Sequence, residues 1–526
     1  MTRWALPLAV GIGLVIAALA ARTPAPLDET APGVFSTGRA MEDVRVIARA
    51  PHPVGSAENQ RVRDHLVARM TALGLRPQVR PGVVRDTRVE NIMGRLPGAD
   101  PGAPALLLMA HYDSVPGSPG AADDAAGVAA ILEIVRAYQS EGGRPRRDVM
   151  VLLTDGEEAG LLGARAFFAE QPEARRAGLV LNFEARGGGG RVHMFETGLG
   201  NRELIGVYAE AVGSPSANSL MRFVYDRMPN GTDFTIPKRQ GIPGLNLAFI
   251  GDEAAYHTAL ATPARLDQGS LQHMGDQGLS LTRALAERET LPDGRGGDAV
   301  YSDVFGLFLV HQWWADGTIL IGAAVLALLL VGARLRRQGG IRANSWAGGL
   351  RLAMGVALSA VLLHLANRLL PLGSEAAIRN APGLLILFGG LLALSLVVAY
   401  ARLRRPEHAH FVALTVGVLI AAAMQWTAPE TAFVVTWPLL LGAATAAVLP
   451  YAGRVGAALT VAAAALGVAW IAGLLHLLFL GVGQFAPEAL AAGALLLPLV
   501  LGPVLSPFPL DGGRWRGAPD GGEVAT

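Results

Sequence analysis

Two histidines and several carboxylates each follow an apolar run of strand length in this sequence. The runs and the residues behind them are ALLLMA at 105–110 with His111 and Asp113, VMVLL at 149–153 with Glu157 and Glu158, LVLNF at 179–183 with Glu184, and LNLAFI at 245–250 with His257. Imidazole and carboxylate are ligands suited to zinc, with manganese or cobalt as alternatives. There are enough of these groups for two adjacent cations that share a carboxylate, so the residues predict a metal centre.

The elements that would position these residues alternate along the chain. GAADDAAG at 120–127 is a turn of small residues, and apolar residues recur at helical spacing through residues 124–139. Further helices are expected at 159–169 and 268–288. Strands alternating with helices predict an α/β fold, a three-layer sandwich with a mixed, mostly parallel central sheet. Ligands bind beyond the carboxyl ends of parallel strands, so the polar residues should converge on one edge of the sheet.

A second region is apolar. Residues 5–21 form one run near membrane length, and a bilayer core requires about 20 helical residues. After the polar region, seven similar runs recur, at 318–333, 348–366, 382–400, 409–425, 431–450, 455–480 and 486–505. We therefore expect an α-helical membrane domain of about seven spans, preceded by an N-terminal anchor. A signal peptide is the alternative interpretation of the first run.

This pattern divides the chain into five segments. They are an N-terminal anchor or signal at 1–22, a globular domain at 30–292, a linker at 293–317, the multi-span domain at 318–506 and a cytoplasmic tail at 507–526. Arginines cluster in alternate loops, which places both termini inside and the globular domain outside the cytoplasm. The Ala- and Gly-rich composition suggests a bacterium. The expected location is the inner membrane, with the globular domain on the periplasmic side.

The composition excludes several classes of protein. Of the 526 residues, 51% are hydrophobic and 17% charged, which is incompatible with a disordered chain. The 44 basic and 43 acidic residues give no charge excess that would indicate nucleic-acid binding. Because the chain has no cysteine, disulfides, thiolate metal sites and cysteine nucleophiles are excluded.

Six segments of the globular domain resemble peptidase family M28, the zinc exopeptidases with two co-catalytic metal ions. They are HYDSVPGSPGAADDAAG, LLTDGEEAGLLGA, NFEARGGGG, GTDFTI, GIPGLNLAFI and YHTALATPARLD, within residues 38–290. The Glu of NFEARGGGG and the multi-span C-terminal region are similar to the membrane-anchored branch, which includes endoplasmic-reticulum and vacuolar membrane metallopeptidases.

The resemblance implies a role for each residue of the predicted centre. It implies two zinc ions, one bound by His111 and Glu184 and the other by Glu158 and His257, with Asp123 rather than Asp124 as the bridge, Glu157 as general base and Asp113 orienting the metal-binding histidine. The chain departs from the family pattern at Ala122 and Ala126, neither of which is an expected ligand.

The activity that this resemblance implies is that of a membrane-anchored exopeptidase acting on peptides, specifically an aminopeptidase. Membrane lipid is the other expected partner, and the oligomeric state stays open. Three alternatives also stay open: a carboxypeptidase or glutaminyl cyclase on the same scaffold, a non-catalytic receptor, and an accessory to transport by the membrane domain.

Overall fold

The computed structural model describes residues 4–28, 31–142, 144–312, 315–337, 343–369, 381–400, 406–483 and 486–505. These residues form two compact units: a polar unit, mainly residues 21–312, and an apolar unit, made of residues 4–20 and the helices after residue 314. The expected cytoplasmic tail at 507–526 and several arginines of the predicted inside loops lie outside the described residues. Those arginines are Arg3, Arg342, Arg402, Arg404 and Arg405.

Seven strands form the central sheet of the polar unit. They are β1 (Gln78–Val84), β2 (Thr87–Leu96), β3 (Ala105–His111), β4 (Val149–Thr154), β5 (Ala177–Ala185), β6 (Gly189–Thr197) and β7 (Gly244–Gly251), in the order β1-β2-β4-β3-β5-β7-β6. The four central strands, β4, β3, β5 and β7, are mutually parallel, while β2 and β6 run against their neighbours. The four predicted strands are these central ones, and the mixed, mostly parallel sheet is confirmed.

Helices cover both faces of this sheet. They are α2 (Thr37–Ile47), α3 (Ala57–Ala72), α4 (Ala125–Ser140), α5 (Leu162–Glu170), α6 (Arg202–Ala211), α7 (Ser219–Tyr225), α8 (Thr235–Arg239) and α9 (Gln268–Glu287). Along β3, Leu106 and Leu108 pack into the core cluster shared with α2, α4 and α9, while Leu107 and Met109 pack into the cluster shared with α5. Because side chains alternate between the two faces of a sheet, β3 contributes to a hydrophobic core on each face. The predicted three-layer sandwich is confirmed.

The segment expected to be a linker contains regular structure. β8 (Ala299–Val304) and β9 (Leu307–Gln312) pair as an antiparallel hairpin. Its first strand is joined to the rest of the polar unit through the bridge between Asn218 and Ser302. Phe308 packs against Tyr208 and Tyr301, with ring centroids 5.2 and 5.9 Å apart. The contact with Tyr208 of α6 packs the second strand of the hairpin against the rest of the polar unit.

Eight apolar helices make up the described part of the apolar unit. They are α1 (Ala5–Ala20) and the helices Ala315–Arg337, Ala343–Leu369, Ala381–Tyr400, Pro406–Thr427, Pro429–Val448, Gly453–Leu478 and Ala492–Leu505. Five segments of the described residues are long and apolar enough to cross a membrane, namely Asp316–Arg337, Ala347–Leu369, Pro406–Thr427, Gly453–Val482 and Pro487–Leu505. Three further apolar helical stretches are shorter, namely Ala5–Ala20, Gly383–Ala399 and Phe433–Val448. Residues of α1 pack with Ala464 and Val504, so α1 belongs to this helical unit.

The side chain of Arg147 connects the sheet to the C-terminal end of α9 through hydrogen bonds, and its contribution to stability can be tested. Its side chain is fully buried and donates hydrogen bonds to the main-chain carbonyls of Pro104, Leu285, Arg288 and Glu289. We expect Arg147→Met to lower the free energy of unfolding by about 3 kcal/mol, because buried carbonyls lose their donors. Thermal unfolding of the purified full chain measures this. The neighbouring Arg146 is exposed, so Arg146→Met serves as the control, and equal melting temperatures for the two variants would contradict the assignment.

Candidate metal centre

The polar residues predicted from the sequence lie together at the carboxyl end of the parallel strands. His111 is the last residue of β3, and Glu184 is the second-last residue of β5. Glu157 and Glu158 follow the end of β4 by three and four residues, and His257 follows β7 by six. Because these four strands are parallel and adjacent, their ends meet at one edge of the sheet.

Asp123 lies between the two histidines. Its Oδ1 is 3.0 Å from His111 Nε2, and its Oδ2 is 3.2 Å from His257 Nε2. A carboxylate that directs one oxygen toward each of two imidazoles has the geometry needed to bridge two cations. The turn that carries Asp123 is buried and precedes α4 directly.

Each histidine also faces a glutamate. Glu184 Oε2 is 3.7 Å from His111 Nε2, and Glu158 Oε1 is 3.1 Å from His257 Nε2. Glu158 Oε1 is buried, yet it makes no hydrogen bond within the described residues. Ligand atoms of His111, Asp123 and Glu158 all lie within 4.8 Å of one another. The side chains therefore form two sets, each with one histidine and one glutamate, that share Asp123.

Asp124 makes different contacts from Asp123. Its carboxylate caps α4 by accepting a hydrogen bond from the main-chain N–H of Gly127 at 3.0 Å, and it also accepts one from the main-chain N–H of His111, at the end of β3, at 3.3 Å. It nevertheless lies close enough to His111 and Glu184 for the three to form a second possible ligand group. The peptide bond between Asp123 and Asp124 is cis.

Asp113 connects the loop after β4 to His111 of β3 through hydrogen bonds. Its carboxylate accepts hydrogen bonds from the main-chain N–H of Glu157 at 3.0 Å and of Glu158 at 3.3 Å. His111 Nδ1 lies 3.0 Å from the Asp113 carbonyl oxygen and 3.5 Å from its carboxylate. If Nδ1 donates to that carbonyl, the lone pair of Nε2 is directed at the centre, as a metal-binding histidine requires.

The electrostatics of the centre favour a bound cation. Burial raises the pKa of Asp124, Glu157 and Glu184 well above the ordinary carboxyl value, and repulsion among the carboxylates adds to the shift. Burial also opposes protonation of His257, but its contacts with Asp123 and Glu158 outweigh this and raise its pKa to about 10. A divalent cation would relieve this excess of negative charge. The residues present therefore fit a metal site made only of nitrogen and oxygen ligands.

A polar row that was not predicted from the sequence crosses the sheet behind Glu184. Asn182 Nδ2 donates to Glu184 Oε1 and to Asn246 Oδ1, both at 3.0 Å. Asn246 donates in turn to Glu196 Oε2 at 2.9 Å, and Lys238 Nζ donates to Glu196 Oε1 at 2.9 Å. Only the position of Asn182, two residues before Glu184 and so on the same face of β5, could have been recognised from the sequence.

The chain is similar to several known proteins. A sequence model of peptidase family M28 matches residues 91–282. The vacuolar membrane protease of Eremothecium gossypii is 32% identical over 351 residues, covering 60% of this chain and 34% of that protein. Endoplasmic reticulum metallopeptidase 1 of Homo sapiens is 33% identical over 248 residues, covering 46% of this chain and 27% of that protein. The chain thus spans about a third of the length of these relatives. Among solved structures, BSAP, a zinc aminopeptidase from Bacillus subtilis, aligns with a TM-score of 0.42 and 14% identity over 50% of this chain and 98% of that chain.

Proposed function

We propose that this membrane protein is a zinc-dependent exopeptidase, and specifically an aminopeptidase, because a sequence model of peptidase family M28 matches residues 91–282. The observation that carries the proposal is the position of Asp123, whose two carboxylate oxygens face His111 and His257. The cluster would act on peptides whose free amino end enters at this edge of the sheet.

The centre would hold two zinc ions, with manganese or cobalt as alternatives. His111 and Glu184 would bind one ion, Glu158 and His257 the other, and Asp123 both. Imidazole and carboxylate ligands in this number match a co-catalytic zinc pair. When bound there, the ions would supply Lewis-acid chemistry and lower the pKa of a water molecule.

Glu157 would move the proton in this reaction. Its main-chain N–H is held by Asp113, and burial keeps the pKa of its carboxyl high. A carboxylate with high proton affinity can accept a proton from the attacking water and return it to the leaving amine. Its neighbour Glu158 is directed at His257 instead, so two adjacent glutamates would take different roles.

The orientation in the membrane is part of the proposal. Arg334, Arg336 and Arg337 lie in the last turn of the helix Ala315–Arg337, whereas the polar unit precedes that helix. Arginine is concentrated on the cytoplasmic side of membrane helices, which places the polar unit on the opposite side. We propose the periplasmic face of a bacterial inner membrane, although the relatives named above are eukaryotic vacuolar and endoplasmic-reticulum proteins.

A panel of short peptides tests the activity. We expect peptides with a free amino end to be cleaved at the first bond and N-terminally blocked peptides to resist. A chelator should abolish cleavage, and added zinc should restore it, because the ligand set is open to exchange with solvent metal. Cleavage confined to blocked peptides would exclude an aminopeptidase, and cyclisation of N-terminal glutamine without hydrolysis would favour a glutaminyl cyclase.

Asn182 should support the proposed metal ligand Glu184. Replacing it with leucine removes the hydrogen bond that fixes Glu184 Oε1, so we expect zinc affinity to fall by roughly 10- to 100-fold. Titration of the metal-free full chain with zinc measures this directly. Asn230 is exposed, and Asn230→Leu is therefore the matched control. An unchanged zinc affinity in folded Asn182→Leu protein would show that the polar row does not orient the centre.

A further inference from the structure

The hairpin of β8 and β9 ends in a tip made almost wholly of apolar residues. The tip, residues 304–310, has the sequence VFGLFLV. Hairpin turns are ordinarily built from Gly, Asn and Asp, which tolerate the backbone geometry and suit contact with water. An apolar sequence is therefore unexpected at the tip of a hairpin.

The side chains of this tip are exposed. The exposed fraction is 68% for Leu307, 45% for Leu309, 39% for Val310 and 36% for Phe305. Phe308, between two of them, instead packs inward on Tyr208 and Tyr301. Contiguous exposed apolar side chains of this kind mark an interaction surface.

The turn also holds Phe305 in a conformation that its side chain disfavours. The φ angle is +52° at Phe305 and +91° at Gly306. A residue with a Cβ in this left-handed region costs about 1–2 kcal/mol, and Asn or Gly would avoid that cost. The turn thus presents an exposed aromatic side chain at the tip in spite of this cost.

The position of the hairpin in the chain indicates what covers the tip. β9 ends at Gln312, and an apolar helix of membrane-crossing length begins at Ala315. Two residues separate them, and the three steps from Gln312 to Ala315 span at most about 10 Å, so the end of β9 lies close to the start of this helix and hence to the membrane surface. A six-residue hairpin is about 20 Å long and can lie along that surface. In the sequence, Trp313 and Trp314 occupy the interval, and tryptophan is enriched at membrane interfaces.

We infer that the hairpin tip inserts into the interfacial layer of the lipid bilayer. Leu307 and Leu309 enter the lipid, while β8 remains bound to the rest of the polar unit through the bridge between Asn218 and Ser302. The polar unit is then held to the membrane at a second point besides its covalent connection to the helix. This inference does not depend on the proposed catalytic activity.

Site-specific labelling tests the inference, because the chain contains no cysteine. Leu307→Cys in the full chain is labelled with a fluorophore and reconstituted into phosphatidylcholine vesicles. We expect nitroxide attached to the lipid chains to quench this label strongly and aqueous iodide to quench it weakly. Val83→Cys is the matched control, since Val83 also lies on a strand and is 64% exposed, but on β1 at the edge of the central sheet.

Each outcome of this experiment either supports or overturns insertion of the hairpin tip into the bilayer. A label at position 83 that is quenched by iodide, together with one at 307 quenched by lipid nitroxide, supports insertion. Equal iodide quenching at both positions would overturn it. Protection of position 307 from both quenchers would also overturn it, because the tip would then be covered by protein, either helices of the same chain or a second copy.

Discussion

Glu157→Gln is expected to reduce peptide turnover by about 10²- to 10⁴-fold while leaving the metal content unchanged. Glutamine has nearly the same shape and keeps the main-chain hydrogen bond to Asp113, but its amide cannot accept a proton from water. The ligands proposed for the two ions do not include Glu157, so metal binding should survive. Steady-state kinetics with a free-amino peptide and metal analysis of the same sample measure the two quantities.

An exposed glutamate provides the control for this substitution. Glu170, the last residue of α5, is exposed, and Glu170→Gln should retain full activity. If metal-loaded Glu157→Gln protein turned over at the wild-type rate, Glu157 could not be the general base. If the variant lost its metal instead, Glu157 would have to be reassigned as a ligand.

The residues of the centre that could be predicted from the sequence are those positioned by buried parallel strands. His111 and Glu184 stand at or beside the ends of β3 and β5, which are continuous apolar runs buried on both faces. Such runs are easily recognised, and parallel neighbours place their carboxyl ends at one edge. The position of His257 is harder to predict in this way, because it follows the end of β7 by six residues. It lies in a loop and has a φ of +55°.

The features that could not be predicted depend on which strands become neighbours. Asn182, Asn246 and Glu196 form one row only because β7 lies between β5 and β6, with Asn246 opposite both partners. No local pattern encodes that register. β1 was missed because it has a single buried residue and contains Pro81, so it lacks the apolar run of a central strand.

Asp123→Asn is expected to lower the affinity for zinc more than Asn182→Leu does. Both oxygens of Asp123 are directed at the proposed ion positions, and asparagine replaces one oxygen with an NH₂ group and removes the negative charge. The loss of zinc affinity should exceed the roughly 10- to 100-fold typical of a supporting residue, because a shared ligand is lost from both ions. Zinc titration and metal stoichiometry of the purified full chain are the measurements, with peptide turnover as the second readout.

Asp124→Asn is the matched control, and it separates the two adjacent aspartates. The Asp124 carboxylate caps α4 by accepting from the Gly127 N–H, and asparagine caps helices about as well as aspartate. This variant should therefore retain both its fold and its zinc. The opposite pattern, with zinc lost from Asp124→Asn and kept by Asp123→Asn, would assign the metal to the group of His111, Asp124 and Glu184. The bridge would then be lost, because Asp124 has no observed contact with His257 among the described residues, and a paired-ion mechanism would have to be replaced by a single-ion one.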